Sequence, residues 1–321
     1  MTRSTPLAIA ACWLIGALLS QAAGPASPPL DDAEIDRRLA LHHTENETVR
    51  LVMLPVTVSN RRGRAVRGLS KADFSLTEET IPQEIRYFSS QATEPISIAF
   101  LLDLSGSMRQ LGKLDEAKES IRTFVDNLRP GDRFGLIGFA DEQVTWITDF
   151  TEDREDFLRR LDVQRAYGPT ALFDAVGATP GLVDRTIQGR KAIVLITDGV
   201  DNASSMNLYK AMKLARQVDV PIYTVGFTHL PAKLQRSGET VRNLRIMKLF
   251  ARETGGRVYA VRDPDDLKEA VIEIEEELRH QYLIGYHPSD NPWDGSFRRV
   301  KLDVKKNRLN VRTRRGYYAE P

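Results

Sequence analysis

The chain contains 321 residues, with 45 Lys and Arg against 44 Asp and Glu, 41% hydrophobic residues and one cysteine. This composition excludes a disordered, collagen-like or disulfide-stapled chain. The balanced charge also argues against a general nucleic-acid binder, which needs a clear excess of basic residues. A chain of this length predicts one large domain or two ordinary ones.

The first 23 residues are typical of a secretory signal peptide. Arg3 precedes an apolar run from Leu7 to Leu19, and small residues follow around Ala22. The run is shorter than the roughly 20 residues that a membrane-spanning helix needs. We therefore predict an exported protein, in the periplasm, on the cell surface or in the medium, with membrane contact only through an uncleaved signal segment. The single cysteine, Cys12, lies inside this segment.

Residues 24–47 are polar and contain several prolines, which indicates a linker. The next segment, residues 48–93, is rich in β-branched and apolar residues. Its pattern predicts strands at Val49–Asn60, Phe74–Thr77 and Ile85–Phe88, with no helix between them. This segment is predicted to be a small β unit.

Residues 94–279 show a different organisation. Ile96–Leu102 is a nearly continuous apolar strand, which is typical of a strand buried on both faces of a parallel sheet. Strands and amphipathic helices then alternate as far as residue 279, and the segments Arg133–Phe139 and Gln143–Thr148 predict a hairpin with one antiparallel edge. The pattern specifies an α/β domain with a doubly wound, mainly parallel sheet. We expect Pro180 to end or kink the third helix of this domain early.

Residues 280–321 return to a β pattern, with predicted strands at Tyr282–Tyr286, Arg298–Val304 and Leu309–Thr313. Three strands before the α/β domain and three after it are each marginal as a separate sheet. We therefore expect them to pair into one smaller β-sandwich into which the α/β domain is inserted. The alternative is a pair of independent β appendages.

Chemistry-bearing residues follow two of the predicted parallel strands. Asp103 ends the first strand, and the segment that follows places Ser105 and Ser107 on alternate residues around Gly106. Asp198 follows a second fully apolar strand. In open α/β sheets, ligands bind beyond the carboxyl ends of the strands, where the strand order reverses. Small oxygen ligands converging there are suited to a hard cation such as Mg²⁺.

These residues resemble the metal-ion-dependent adhesion site (MIDAS) of the von Willebrand factor A domain family. The family pattern is Asp-x-Ser-x-Ser after the first strand, a Thr in a later loop and an Asp after the fourth strand. The resemblance covers residues 94–279 and implies Mg²⁺, or alternatively Mn²⁺ or Ca²⁺, bound by a partner's Glu or Asp and by five residues of this chain. Those residues are Asp103, Ser105, Ser107, Thr170 and Asp198.

The flanking segments resemble those of a bacterial subgroup of exported proteins that carry this domain. The similar segments are Arg61–Leu69 leading to Asp73 and Phe74, Gln281–Tyr286, and Arg315–Tyr318. This resemblance implies fold and location rather than a biochemical role.

The function that these observations favour is a non-enzymatic adhesion or scaffolding module, in which the metal binds an acidic residue of a partner protein. One alternative is a Mg²⁺-dependent phosphotransferase or phosphatase-like enzyme that uses Asp103. Position 105 is occupied by Ser105 rather than by an acidic residue, and position 107 by Ser107. Both residues favour a metal-binding role of this segment over a role in that enzyme's chemistry. The other alternative is a structural envelope protein whose metal only stabilises the fold. The sequence predicts neither the partner nor the oligomeric state.

Overall fold

The computed structural model describes residues 51–90, 94–141, 143–187, 189–199, 201–227, 238–262, 264–289 and 293–319. The predicted signal peptide, residues 1–23, and the predicted linker, residues 24–47, lie outside the described residues. Residues 49–321 form one compact unit. Among the described residues, every helix falls short of the length and apolar character that crossing a bilayer requires.

Four strands precede the α/β region, and three of them agree closely with the three predicted strands. The observed ranges are β1 (Val52–Asn60), β2 (Phe74–Glu78), β3 (Ile81–Gln83) and β4 (Ile85–Ser89). Strand β3 was not predicted, because three residues are too few to establish an alternating pattern.

The α/β region contains a six-stranded sheet with helices on both faces. The strand order is β10-β9-β8-β5-β6-β7, and all neighbours are parallel except the β6–β7 hairpin at one edge. The doubly wound, mainly parallel α/β fold is therefore confirmed. Its elements in chain order are β5 (Ile96–Asp103), α1 (Lys113–Asn127), β6 (Arg133–Ala140), β7 (Gln143–Thr151), α2 (Arg154–Asp162), α3 (Leu172–Thr186), β8 (Arg190–Thr197), α4 (Leu208–Ala215), β9 (Ile222–Phe227), α5 (Gly238–Thr254), β10 (Val258–Val261) and α6 (Pro264–Arg279).

Strand β5 shows why this sheet is covered on both faces. Every residue of the strand is buried, and successive side chains point to opposite faces. Ile98 and Phe100 join a hydrophobic cluster with α1, α2 and α6, whereas Ala99 and Leu101 join a second cluster with α3, α4 and α5. The continuous apolar run therefore matches a strand between two helical layers.

Helix α3 corrects one expectation from the sequence. It continues through Pro180 as far as Thr186 instead of ending early. Proline removes one backbone donor from a helix, and its ring crowds the preceding turn. Here Pro180 and Val183 are both buried. Burial of these apolar side chains offsets the loss of a single hydrogen bond.

Four strands follow the α/β region and pair with those that precede it. They are β11 (Tyr282–Tyr286), β12 (Phe297–Val304), β13 (Leu309–Arg312) and β14 (Gly316–Tyr318). One sheet has the order β13-β1-β11-β4, and the other has the order β14-β12-β2-β3. Each sheet thus combines strands from both sides of the inserted region, so the two sets are not independent appendages.

The two four-stranded sheets share one hydrophobic cluster and form the expected β-sandwich. Phe74 of β2 contacts Phe88 of β4 and Tyr282 of β11, with ring centroids 5.7 and 5.4 Å apart. Glu78, which is fully buried between the sheets, accepts hydrogen bonds from the hydroxyls of Tyr286 at 2.6 Å and Tyr317 at 3.0 Å. These donors compensate the burial of a carboxyl group.

Buried ion pairs anchor the carboxyl end of α6 close to the start of β5. The Arg279 guanidinium donates to Asp132 at 2.6 Å and to Glu275 at 2.7 Å. Asp132 also accepts a 2.9 Å hydrogen bond from the backbone amide of Ile96, the first residue of β5. The chain therefore enters and leaves the α/β region at one place. Domain boundaries at 93/94 and 279/280 remain our proposal.

Candidate metal centre

The predicted site lies where the strand order of the central sheet reverses. Strand β5 is flanked by β6 and β8, and Leu102 of β5 pairs with Ile196 of β8. Asp103 ends β5, and the hydroxyl of Thr197, the last residue of β8, donates a 2.6 Å hydrogen bond to its Oδ2 atom. The crevice at this edge is where ligands bind in open α/β sheets.

The segment after β5 turns back on the carboxylate that precedes it. The backbone amide of Ser105 donates to Asp103 Oδ1 at 2.8 Å, and the hydroxyl oxygens of Ser105 and Ser107 lie 3.0 Å apart. Ser105 is buried and Ser107 is half-buried. One carboxylate and two hydroxyls therefore share one tight turn.

A second loop, residues 166–170, is hydrogen-bonded to this turn. The amide of Tyr167 donates to the carbonyl of Leu104 at 2.7 Å, and the amide of Gly106 donates to the carbonyl of Gly168 at 2.8 Å. A Cβ atom at position 106 would lie only 3.3 Å from that carbonyl oxygen, so glycine suits the close approach. Thr170, at the end of this loop, is almost fully buried.

The third loop follows β8 and is fixed to Thr170 by Asn202. The side-chain oxygen of Asn202 accepts from the amide of Thr170 at 2.7 Å. The amides of Asn202 and Ala203 both donate to the carbonyl of Thr170 at 3.0 Å. The three loops that carry the five predicted residues are thus joined directly to one another.

Asp198, on this third loop, has two unlike carboxylate oxygens. Its Oδ2 atom lies 2.9 Å from the ammonium group of Lys113, the first residue of α1, and both side chains are at least nine-tenths buried. Its Oδ1 atom is buried and has no hydrogen-bond partner among the described residues. Gly199 follows at φ +81°, a conformation that glycine adopts readily.

The electrostatics of Asp103 differ from those of an ordinary aspartate. Burial raises the pKa of Asp103 to about 6, and the negative charge of Asp198 adds to this rise. Hydrogen bonds from Ser105 and Thr197 oppose it, because they stabilise the ionised carboxylate. A cation in the crevice would act in the same direction as these hydrogen bonds.

The residues present fit a hard divalent cation. Carboxylate and hydroxyl oxygens are the donors that Mg²⁺, Mn²⁺ and Ca²⁺ prefer, and Asp198 Oδ1 is a buried oxygen without a protein donor among the described residues. Within those residues, no three His, Cys, Asp or Glu side chains are grouped so as to hold a metal. The hydroxyls of Ser105, Ser107 and Thr170 would therefore have to complete the donor set.

All five sequence-predicted residues lie at the same edge of the sheet, on the three connected loops. Sequence reasoning missed Thr197, Asn202 and Lys113, which bind or position them. Lys113 could have been noticed from the sequence, because it is the first residue of a helix and helix amino termini favour acidic residues over basic ones. Thr197 and Asn202 carry no such signal, since their roles depend on loop packing.

The exposed rim beside these loops carries apolar side chains. The guanidinium of Arg109 donates to the carbonyl of Ala166 at 2.8 Å, which holds the segment after Ser107 against the second loop. Leu111 and Tyr167, on either side of this contact, are 65% and 46% exposed. Leu111 and Tyr167 thus expose apolar surface on the two segments that border the candidate site.

Comparison with curated proteins gives distant relatives. The chain is 26% identical over 214 residues to a UPF0353 protein of Mycolicibacterium paratuberculosis, a match that covers 61% of this chain and 64% of the relative. It is 28% identical over 159 residues to inter-alpha-trypsin inhibitor heavy chain H4 of Bos taurus, covering 44% of this chain and 17% of that protein. The chain thus spans less than two thirds of the length of either relative.

Among solved structures, BatB of Bacteroides thetaiotaomicron is 23% identical, with a TM-score of 0.45, covering 57% of this chain and 98% of that one. Proximal thread matrix protein 1 of the mussel byssus, solved with a zinc-occupied MIDAS motif, is 18% identical, with a TM-score of 0.48, covering 63% of this chain and 49% of that one.

The family model of the von Willebrand factor type A domain matches residues 97–273, more than half of the chain. The chain therefore belongs to the von Willebrand factor type A domain family.

Proposed function

We propose that this protein is an exported, metal-dependent protein-interaction module of the adhesion or scaffolding type. Domains of its family are metal-dependent interaction modules. The observation that carries the proposal is the buried Oδ1 atom of Asp198, which has no partner among the described residues and lies on a loop hydrogen-bonded to Thr170. That oxygen faces a desolvation cost that a cation would remove.

The proposed roles follow from the geometry. Asp103, Ser105, Ser107, Thr170 and Asp198 hold Mg²⁺, or Mn²⁺ or Ca²⁺, directly or through water. Thr197 and the amide of Ser105 orient the carboxylate of Asp103 with hydrogen bonds to its two oxygens. The bound metal supplies a positive charge that accepts a Glu or Asp carboxylate from a partner protein.

The partner's contact extends beyond the metal. Leu111 and Tyr167 present exposed apolar surface next to the candidate site. We infer that the partner places its acidic residue over the metal and apolar side chains against this rim. Apolar burial would supply affinity, and the carboxylate would supply metal dependence.

A non-enzymatic role is part of the proposal. Domains of this family are generally adhesion or scaffolding modules. An aspartyl nucleophile must reach its substrate, yet Asp103 has no exposed surface, and both of its oxygens accept hydrogen bonds. This geometry disfavours the phosphotransferase alternative based on Asp103.

Export rests on the sequence of residues 1–23. Removal of this segment would leave a mature protein without cysteine. Amino-terminal sequencing of the protein from fractionated cells tests the proposal directly. We expect cleavage near Ala22 and recovery outside the cytoplasm, whereas an intact amino terminus in the cytoplasmic fraction would contradict export.

Affinity capture from an envelope extract of the source cells tests the interaction. The mature protein and the Asp103→Ala variant serve as baits, each with Mg²⁺ and with EDTA, and mass spectrometry identifies the retained proteins. We expect a partner retained only by the wild type with Mg²⁺. Equal retention in all four samples would reject the mechanism. Chelation that lowers the melting temperature without releasing any partner would instead support a purely structural metal.

A further inference from the structure

The ion pair between Lys113 and Asp198 places a positive charge inside the candidate metal site. The ammonium nitrogen lies 2.9 Å from Asp198 Oδ2, and the two side chains are only 10% and 7% exposed. The other oxygen of the same carboxylate, Oδ1, has no partner among the described residues. One oxygen of Asp198 thus binds an internal cation, and the other is buried without a donor among the described residues.

The position of Lys113 is unfavourable for a lysine in two respects. It is the first residue of α1, where the helix dipole disfavours positive charge, and Asp115 and Glu116 in the same turn show the usual preference. Its ammonium group is also largely removed from water, which costs free energy. The ion pair with Asp198 offsets both costs, so a role specific to this site is favoured over a solvated lysine.

The charge of Lys113 changes the net charge of the candidate site in both its metal-free and its metal-loaded state. Asp103, Asp198 and Lys113 together carry one net negative charge when all three are ionised. A bound divalent cation converts this to one net positive charge. Without the lysine, the same two carboxylates and the metal would be neutral. Lys113 therefore opposes the metal but leaves the loaded site attractive to an anion.

We propose that Lys113 favours binding of the metal together with an acidic ligand over binding of the metal alone: it weakens the affinity of the site for the metal and strengthens the affinity of the metal-loaded site for a carboxylate. This inference rests on the proposed function, because it concerns the same metal site. Its consequence is that metal retention depends more strongly on the partner's acidic residue, because the charge of that residue offsets the charge of the lysine. Each ligand increases the affinity for the other by the same factor, as linkage requires.

The Lys113→Met variant tests both effects of the lysine, on metal affinity and on carboxylate affinity, because methionine keeps an unbranched side chain and removes the charge. Mn²⁺ is the probe metal, its binding is measured by loss of the free-ion electron paramagnetic resonance signal, and acetate is the probe carboxylate. We expect the variant to bind Mn²⁺ at least about tenfold more tightly, because it lacks the positive charge of Lys113 that repels the metal ion. At one fixed, non-saturating acetate concentration, we also expect acetate to raise the Mn²⁺ affinity of the variant less than that of the wild type, because the metal-loaded variant attracts acetate less strongly.

Two further variants serve as controls. Lys118 lies on the same helix and donates to the carbonyls of Asp162 and Gln164 rather than to a proposed metal ligand. Lys118→Met removes a charge from α1 and should change Mn²⁺ affinity far less than Lys113→Met does. Lys113→Arg retains the charge and should stay close to the wild type. If Lys113→Met does not fold by circular dichroism, Lys113→Gln replaces it.

The outcomes separate this inference from the proposed function. Tighter Mn²⁺ binding together with a smaller effect of the same acetate concentration supports the inference, and general damage to the site would not produce these opposite signs. Mn²⁺ binding that is unchanged or weaker in Lys113→Met overturns the inference but leaves the metal site intact. Failure of both the wild type and the variant to bind Mn²⁺ overturns the proposed metal site and the inference together.

Discussion

The hydroxyl of Thr197 donates a 2.6 Å hydrogen bond to Asp103 and so joins the ends of two neighbouring parallel strands at the candidate metal site. Thr197 also accepts a 3.0 Å hydrogen bond from the amide of Gly199, on the loop that carries Asp198. A single buried side chain therefore positions two proposed ligands. This relationship predicts that metal affinity depends on a residue that does not bind the metal.

Replacement of Thr197 by Val should lower both stability and metal affinity. Asp103 would lose a donor while remaining buried, which costs about 1–3 kcal/mol of the free energy of unfolding. Urea unfolding and calorimetric titration with Mg²⁺ measure the two effects. The matched control is Thr224→Val on β9, whose buried hydroxyl has no partner among the described residues. Equal metal affinity in both variants would contradict the positioning role of Thr197.

Thr170 should contribute an oxygen to the metal, directly or through water. The Thr170→Val variant keeps the side-chain shape and removes the hydroxyl, so we expect weaker Mg²⁺ binding with little loss of stability. Thr179→Val is the control, because Thr179 is a buried threonine on the following helix whose hydroxyl has no partner among the described residues. Calorimetric titration should show a loss in Thr170→Val alone; a similar change in both variants would remove Thr170 from the proposed ligands.

The stability of the metal-free protein should fall as Asp103 ionises. Burial raises the folded-state pKa of Asp103 to about 6 from 3.8, so its contribution is fully present below about pH 4 and is lost as the pH rises through about 6. The loss is roughly 3 kcal/mol of the free energy of unfolding. Urea unfolding across this range measures it.

Asp103→Asn isolates this effect from the titration of other carboxyl groups, because the variant should lack the step between pH 4 and pH 6. Mg²⁺ favours the ionised carboxylate and should reduce the step in the wild type. The same pH dependence in the wild type and in Asp103→Asn would show that another group is responsible.

The buried carboxyl group of the sandwich gives a prediction far from the metal. Tyr317→Phe removes one of the hydroxyls that donate to Glu78, and we expect a loss of about 1–3 kcal/mol in the free energy of unfolding. Tyr318→Phe, on the same strand, keeps its ring contact with Phe297 and should change stability little. Thermal and urea unfolding compare the two variants; equal losses would show that the Glu78 contact contributes nothing specific.

The ion pair at the entry to the α/β region should contribute strongly to stability. Arg279→Met leaves Asp132 buried without its charged partner, which costs about 3–5 kcal/mol. Arg299→Met is the control, because Arg299 is 79% exposed in its pair with Glu79. Urea unfolding should separate the two variants clearly. A small effect of Arg279→Met would show that the pair is not important for holding α6 to the start of β5.

Much of the fold could be predicted from the sequence, because its signals are strong and local. The apolar run at Ile96–Leu102 matches the observed strand β5, Ile96–Asp103, to within one residue. Strands β3 and β14 were missed because three residues do not establish a period. Helix α3 was predicted too short because local propensity at Pro180 was overridden by burial.

The candidate site was predicted less completely than the fold. Asp103, Ser105 and Ser107 are readable because they are close in sequence and follow a buried strand. Asn202 could not be predicted, since its side chain serves the backbone of Thr170, 32 residues away. Lys113 approaches Asp198 across 85 residues, and only the packing of α1 against the end of β8 brings the two charges together.

The most direct test of the metal site is a crystal structure of the protein grown with Mn²⁺, with anomalous scattering measured at a wavelength where manganese contributes. We predict an anomalous peak in the crevice between Asp103 and Asp198, with the hydroxyls of Ser105 and Ser107 as ligands, and no such peak in Asp103→Ala. Full Mn²⁺ loading without a peak at this position, or a peak that persists in Asp103→Ala, would contradict the account.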